Sequence, residues 1–202
     1  MTQPQSGESS REVVLSSPNI PAHLHNGLKR ALGQAVESVW LHGADMPVGA
    51  IALHEERIVG VGYASDRRLN DPLLHAEAVA IFDASSEPID TVITTLEPCV
   101  QCQDFIADQP GIKQVAYGLP RLEASNRGLI RHHDETAGER AERMQLPFEI
   151  VRLDDPSLRA IGRSILDSVS RNPDTNELEI NSKTLLGDMV RLNQLGHSLD
   201  LE

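Results

Sequence analysis

Apolar positions follow no period through the first eighteen residues, where Ser, Gln, Glu and Pro dominate, and residues 1–18 read as a disordered tail. From Pro21 the pattern changes. Leu24, Leu28, Ala31, Ala35 and Val39 recur at helical spacing and predict a helix over 21–42, which Gly43 stops. Two short apolar runs, MPVGAIALHE (46–55) and RIVGVGYAS (57–65), meet at Glu55–Glu56 and predict a strand hairpin. DPLLHAEAVAIFDAS (71–85) predicts a helix opening beside Asp71–Pro72 that buries Leu74, Ala78, Ile81 and Phe82. DTVITTL (90–96) and KQVAYGL (113–119) read as strands on either side of a short helix, PCVQCQDFIADQ (98–109). So short a crossover implies a parallel pair with a right-handed connection. Residues 120–146 are polar and at most weakly helical, PFEIVRL (147–153) reads as an edge strand, and 156–171 is amphipathic. Its apolar face carries Leu158, Ile161, Ile165, Leu166 and Val169, and a last helix is predicted near 183–196. The sum is an α/β sandwich around a mixed sheet of five strands.

Composition narrows the classes. The chain has 202 residues, 40% hydrophobic and 24% charged, as expected for one globular domain with extensions. No apolar run approaches the roughly 20 residues that cross a bilayer, so no membrane partner is expected. The N-terminal stretch lacks a basic region followed by an apolar one, and only two cysteines are present. These features together read as a reducing cytoplasm without structural disulfides. The net charge is −12, and Lys29, Lys113 and Lys183 are the only lysines. Such a chain lacks the broad positive field that drives phosphate-backbone binding, which argues against a nucleic-acid partner while leaving room for a local basic groove.

The two cysteines sit together in TTLEPCVQC (94–102). Alone, Cys99 and Cys102 are equally a redox couple, half a metal site, or two small buried hydrophobes. LLHAEAVA upstream contributes His75 and Glu77, which neither a redox pair nor a core pair explains. His-x-Glu opening one helix and Pro-Cys-x-x-Cys opening the next is the motif pair of zinc-dependent deaminases. His75, Cys99 and Cys102 form an N/S/S set suited to tetrahedral zinc with one open position for water. A closed structural site would need a fourth protein ligand, and no third cysteine exists. Helix N-termini favour both thiolates, and Glu77, free of the metal, is placed to shuttle protons.

On these motifs the chain resembles the cytidine deaminase-like superfamily, in the branch of tRNA adenosine deaminases and guanine deaminases. The likeness runs over roughly 24–120 through MPVGAIAL, VGYASDRRLNDPLLHAEA, TTLEPCVQC and VAYG. It implies a three-layer α-β-α fold, a deaminase domain over 19–155, and a helical extension over 156–202 that packs on the domain or on a dimer partner. It also implies zinc held by His75, Cys99 and Cys102, with Glu77 as proton shuttle. The Ala76 backbone and the strand at Val48 and Ala50 would border the substrate ring, and homodimers would form through the ligand-bearing helices. Ala64 stands where the branch usually carries an asparagine, and Gln103-Asp104-Phe105 replaces its small residues. Asp66, Asp104 and Phe105 are therefore candidates for substrate contact alongside Ala64.

The function implied is hydrolytic deamination of an amino-substituted nitrogen heterocycle, a free base or nucleoside, with release of ammonia. Two alternatives stand beside it: adenosine deamination in tRNA, and a non-catalytic zinc protein of the same fold. His132-His133 beside Asp134 and Glu135 reads as solvated rather than ligating, and Arg67-Arg68 as a loop pair that either meets an anionic substrate group or, more commonly for such a pair, faces water.

Overall fold

The computed structural model describes residues 12–43, 46–124, 135–172, 174–175 and 177–196, without the side chains at 67, 68 and 171. Its first elements are β1 (Glu12–Ser16), α1 (Ala22–His42), β2 (Gly49–His54), β3 (Arg57–Tyr63), α2 (Asp66–Leu69) and α3 (Ala76–Asp83). There follow β4 (Thr91–Leu96), α4 (Val100–Ala107), β5 (Gln114–Leu119), a 3-10 turn at Arg121–Glu123 and α5 (Ala137–Met144). The chain closes with β6 (Glu149–Asp154), α6 (Pro156–Asp167), the hairpin β7 (Val169–Arg171) and β8 (Leu178–Ile180), and α7 (Ser182–Gln194).

The main sheet has the order β1-β6-β5-β4-β2-β3. β4, β5, β6 and β1 run parallel to one another, while β2 is antiparallel to both β4 and β3. Six strands stand where five were expected. The sixth is EVVLS at 12–16, inside the segment that its polar composition marks as tail; it pairs with β6 and makes that predicted edge strand internal. Only Glu12 and Leu15 of β1 are partly buried, so the apolar signal of a strand is nearly absent there.

Alternation along the strands sorts the core into two layers. Ala50, Ala52, Val92, Leu96, Val115 and Ile150 pack with residues of α3, α4 and α5. Ile51, Leu53, Ile93, Ala116 and Val151 pack with residues of α1, α6 and α7. The result is a three-layer α-β-α sandwich. Leu158, Ile161 and Ile165 seat α6 in the layer of α1, so this part of the C-terminal segment completes the core. The α7 helix lies on α1 and α6, across the sheet from α3 and α4. Among the described residues no helix is long and apolar enough to cross a membrane.

The helix expected at 71–85 starts later. Asp71 closes a turn in which its carbonyl accepts the N–H of Leu74 and its carboxylate that of Leu73, and α3 begins only after His75. Phe82 is 55% exposed rather than buried, and it meets Phe105 edge-on at 5.4 Å between ring centres. The α3 backbone lies directly on β3. A Cβ on Gly60 would collide with the Ala80 carbonyl, and one on Gly62 with Ala76 and Ala80 backbone atoms. Glycine at both positions is what lets the helix come this close.

Candidate active site

Two helix N-termini converge at one side of the sheet. The turn at 71–75 is pinned by the Ser65 N–H, which donates to the Leu74 carbonyl at 2.8 Å, and it delivers His75 to the N-cap of α3. Strand β4 ends at Leu96, Pro98 breaks the ladder, and Cys99 becomes the N-cap of α4, its sulfur accepting the Cys102 N–H at 3.3 Å.

His75 Nδ1 lies 3.2 Å from Cys102 Sγ and 3.5 Å from Cys99 Sγ, and the two sulfurs are 3.2 Å apart. Cys102 is buried, whereas His75 and Cys99 are half-buried. Glu77 is one helical residue beyond Ala76, buried, with Oε2 3.3 Å from Cys102 Sγ. The hydrogen bond from Cys102 drives the Cys99 thiol down to about 3, with His75 acting the same way against the opposing effect of burial. Cys102 is pushed up by that same bond and by burial. Its single thiol proton therefore sits among Cys99 and Glu77, and a divalent cation would displace it and hold both sulfurs as thiolates. Burial, then the Cys99 charge, raises the Glu77 carboxyl above the ordinary range.

The flanking candidates divide. Val48, Ala50, Ala64 and Ala76 fall in one apolar cluster, and the Ala64 N–H donates to the Val48 carbonyl at 3.0 Å. Asp66 opens α2 close enough for its charge to help raise the His75 pKa, after the larger effect of the Cys99 hydrogen bond. Asp104 lies two positions after Cys102, hence on the opposite side of α4, and pairs with the buried Arg140 of α5 at 2.7 Å. Phe105 is taken up by Phe82. His132, His133 and Asp134 lie outside the described residues, while Glu135 pairs with Arg143 at 2.6 Å.

One support escaped the sequence reading. The carboxylate of Glu97, 4% exposed, accepts the N–H of Arg121 at 2.9 Å and that of Ala137 at 2.6 Å. It thereby ties the stem of the Cys99 turn to the start of the 3-10 turn and the start of α5. Its signal in sequence was a lone carboxylate ending the apolar strand TTL.

Residues 23–119 match the family model described as the cytidine and deoxycytidylate deaminase zinc-binding region. This segment, just under half of the chain, is similar to that family. All four motif residues fall inside it. Zinc is the metal of such a region, and the N/S/S donor set of His75, Cys99 and Cys102 fits it. Among curated relatives, a tRNA-specific adenosine deaminase of Streptococcus pyogenes is 32% identical over 97 residues, covering 45% of this chain and 59% of its own length. One of Aquifex aeolicus is 35% identical over 82 residues, covering 37% of this chain and 52% of its own. The chain thus spans little more than half the length of the curated relatives it matches. A solved structure, NE0047 in complex with 2,6-diaminopurine, shares the fold at 16% identity and a TM-score of 0.53, over 69% of this chain and 79% of that one.

Proposed function

We propose that the protein is a zinc-dependent hydrolase that deaminates an amino-substituted nitrogen heterocycle, a free base or a nucleoside. The observation that carries this reading is the buried Glu77 carboxylate, 3.3 Å from Cys102 Sγ and beside the His75–Cys99–Cys102 set. A purely structural metal site has no use for such a group. Zinc held by His75 Nδ1 and the two sulfurs supplies a Lewis acid that lowers the pKa of a water molecule from about 15.7 toward roughly 7. Glu77 accepts one proton of the attacking water and passes it to the ring nitrogen, then takes the remaining hydroxyl proton of the adduct and gives it to the departing amine. The water oxygen bonds to the carbon bearing the amine, the C–N bond breaks, and ammonia leaves. The apolar lining of Val48, Ala50 and Ala76 keeps bulk water from the ring. Ala64 offers the ring no side-chain hydrogen bond, so selectivity falls to backbone groups and shape. Ammonia release across a panel of purines, pyrimidines, pterins and nucleosides tests the reading, with zinc content measured alongside; silence across the whole panel from zinc-loaded protein sinks it.

A second reading, adenosine deamination in tRNA, is favoured by the names of the relatives in Streptococcus pyogenes and Aquifex aeolicus. The net charge of −12 and Ala64 weigh against it. Micromolar, salt-sensitive binding of an anticodon stem-loop would reverse the order of the two.

A further inference from the structure

The two glutamines flanking Cys102 each hold a backbone carbonyl next to a zinc ligand. Gln101 Nε2 donates to the Pro72 carbonyl at 2.5 Å and so links the first turn of α4 to the turn that delivers His75. Gln103, 2% exposed, donates Nε2 to the Pro98 carbonyl at 3.1 Å. Its own backbone N–H donates to the Cys99 carbonyl at 2.9 Å. One residue therefore pins the peptide planes on both sides of the Cys99 Cα. Fixing both planes fixes φ and ψ of Cys99, and with them the direction of the Cα–Cβ bond that carries its sulfur.

The Gln103 Oε1 is buried with no partner among the described residues. A buried acceptor left unpaired destabilises the fold, and a small apolar residue would avoid it. Folding alone disfavours glutamine here, whereas holding Cys99 in place requires its donor.

We infer that Gln103 is a positioning residue that aims Cys99 at the metal, with Gln101 holding the His75 turn in register against the same helix. The inference rests on the zinc reading of the site.

The test compares full-length wild type with Gln103→Ala, Gln103→Met and Gln101→Ala. The first readout is zinc affinity by competition with a chromophoric chelator, and the second is the visible spectrum of the cobalt(II)-substituted protein. Both Gln103 variants should hold zinc about tenfold or more weakly, the usual effect of removing a group that orients a ligand. Their cobalt bands should shift and broaden, and Gln101→Ala should show a smaller loss of affinity. Gln103→Met keeps the side-chain length and removes only the amide, so it carries the test should the alanine variant fail to fold. Ile161→Val, in the far helical layer, lowers the melting temperature and should leave zinc affinity unchanged, separating positioning from stability. Zinc affinity within twofold of wild type in the Gln103 variants overturns the inference. Wild-type protein that takes up no zinc at all overturns the metal site itself, a separate and distinguishable failure.

Discussion

The Glu77 carboxylate and the Cys102 sulfur, 25 positions apart in the chain, lie 3.3 Å apart in the fold. This pair joins the proposed proton carrier to the metal's donor set. Glu77→Gln preserves shape and removes the exchangeable carboxylate. It should keep zinc at the wild-type level and lower kcat by about 10²–10⁴-fold, the range for loss of a general acid–base. Steady-state ammonia release with metal analysis of the same sample is the check.

Metal removal has a stability signature independent of substrate. Zinc at 100 times its dissociation constant should stabilise the protein by about 2.7 kcal/mol relative to the metal-free form. For a domain of this size that is a rise of about 5–10 °C in Tm. His75→Ala should abolish the shift while leaving the far-ultraviolet circular dichroism intact.

Gly62 couples packing to chemistry, because α3 rests on its Cα. Gly62→Ala should cost about 3 kcal/mol, the upper end for overpacking. It should also weaken zinc binding by displacing the N-terminus of the helix that carries His75 and Glu77. Denaturant titration and chelator competition on one variant measure the two effects together.

Asp155 caps α6 through the N–H groups of Ser157 and Leu158 and lies 3.2 Å from His25 Nε2. Burial alone would raise its pKa, but the bonds from Leu158, His25 and Ser157 together hold it below the ordinary value. A depressed carboxylate contributes stability above its unfolded pKa of about 3.9 and loses that contribution as pH falls through the lower, folded value. Asp155→Ala should therefore cost about 1 kcal/mol at pH 7, and the gap to wild type should close below about pH 4. Urea unfolding at a series of pH values shows whether it does.

The β2–β3 turn places Glu55 and Glu56 at φ 48° and 67°, a conformation that glutamate adopts at a cost. Replacing the pair by Asn-Gly should stabilise the fold by about 1 kcal/mol without changing activity. The Glu55 backbone bond to Asp90 at 2.7 Å survives the change, since only the N–H is used. Thermal unfolding measures the gain.

The apolar strands were legible because they form short hydrophobic runs flanked by turn residues, and the four motif residues because their chemistry needs that order. β1 was not legible, since a short edge strand with two exposed valines leaves no periodic trace. The start of α3 was misplaced because Asp71 closes a turn that composition alone reads as a cap. The contacts of Asp104 with Arg140 and of Phe105 with Phe82 were not legible, because each partner lies on another helix far away in the chain. Glu97 was missed because its partners are backbone N–H groups, which every residue carries.

The pairing of Glu12 with Ile150 joins β1 to β6 across most of the described chain. On the ribosome, β1 must wait for β6 before it has this neighbour, and long-range parallel pairing of this kind is slow. The family-matched segment 23–119, expressed alone, lacks both β6 and β1. It would retain all four motif residues and present β5, a long apolar strand, as a bare sheet edge. The smallest piece that contains the chemistry is thus a poor candidate for independent folding and a strong one for self-association.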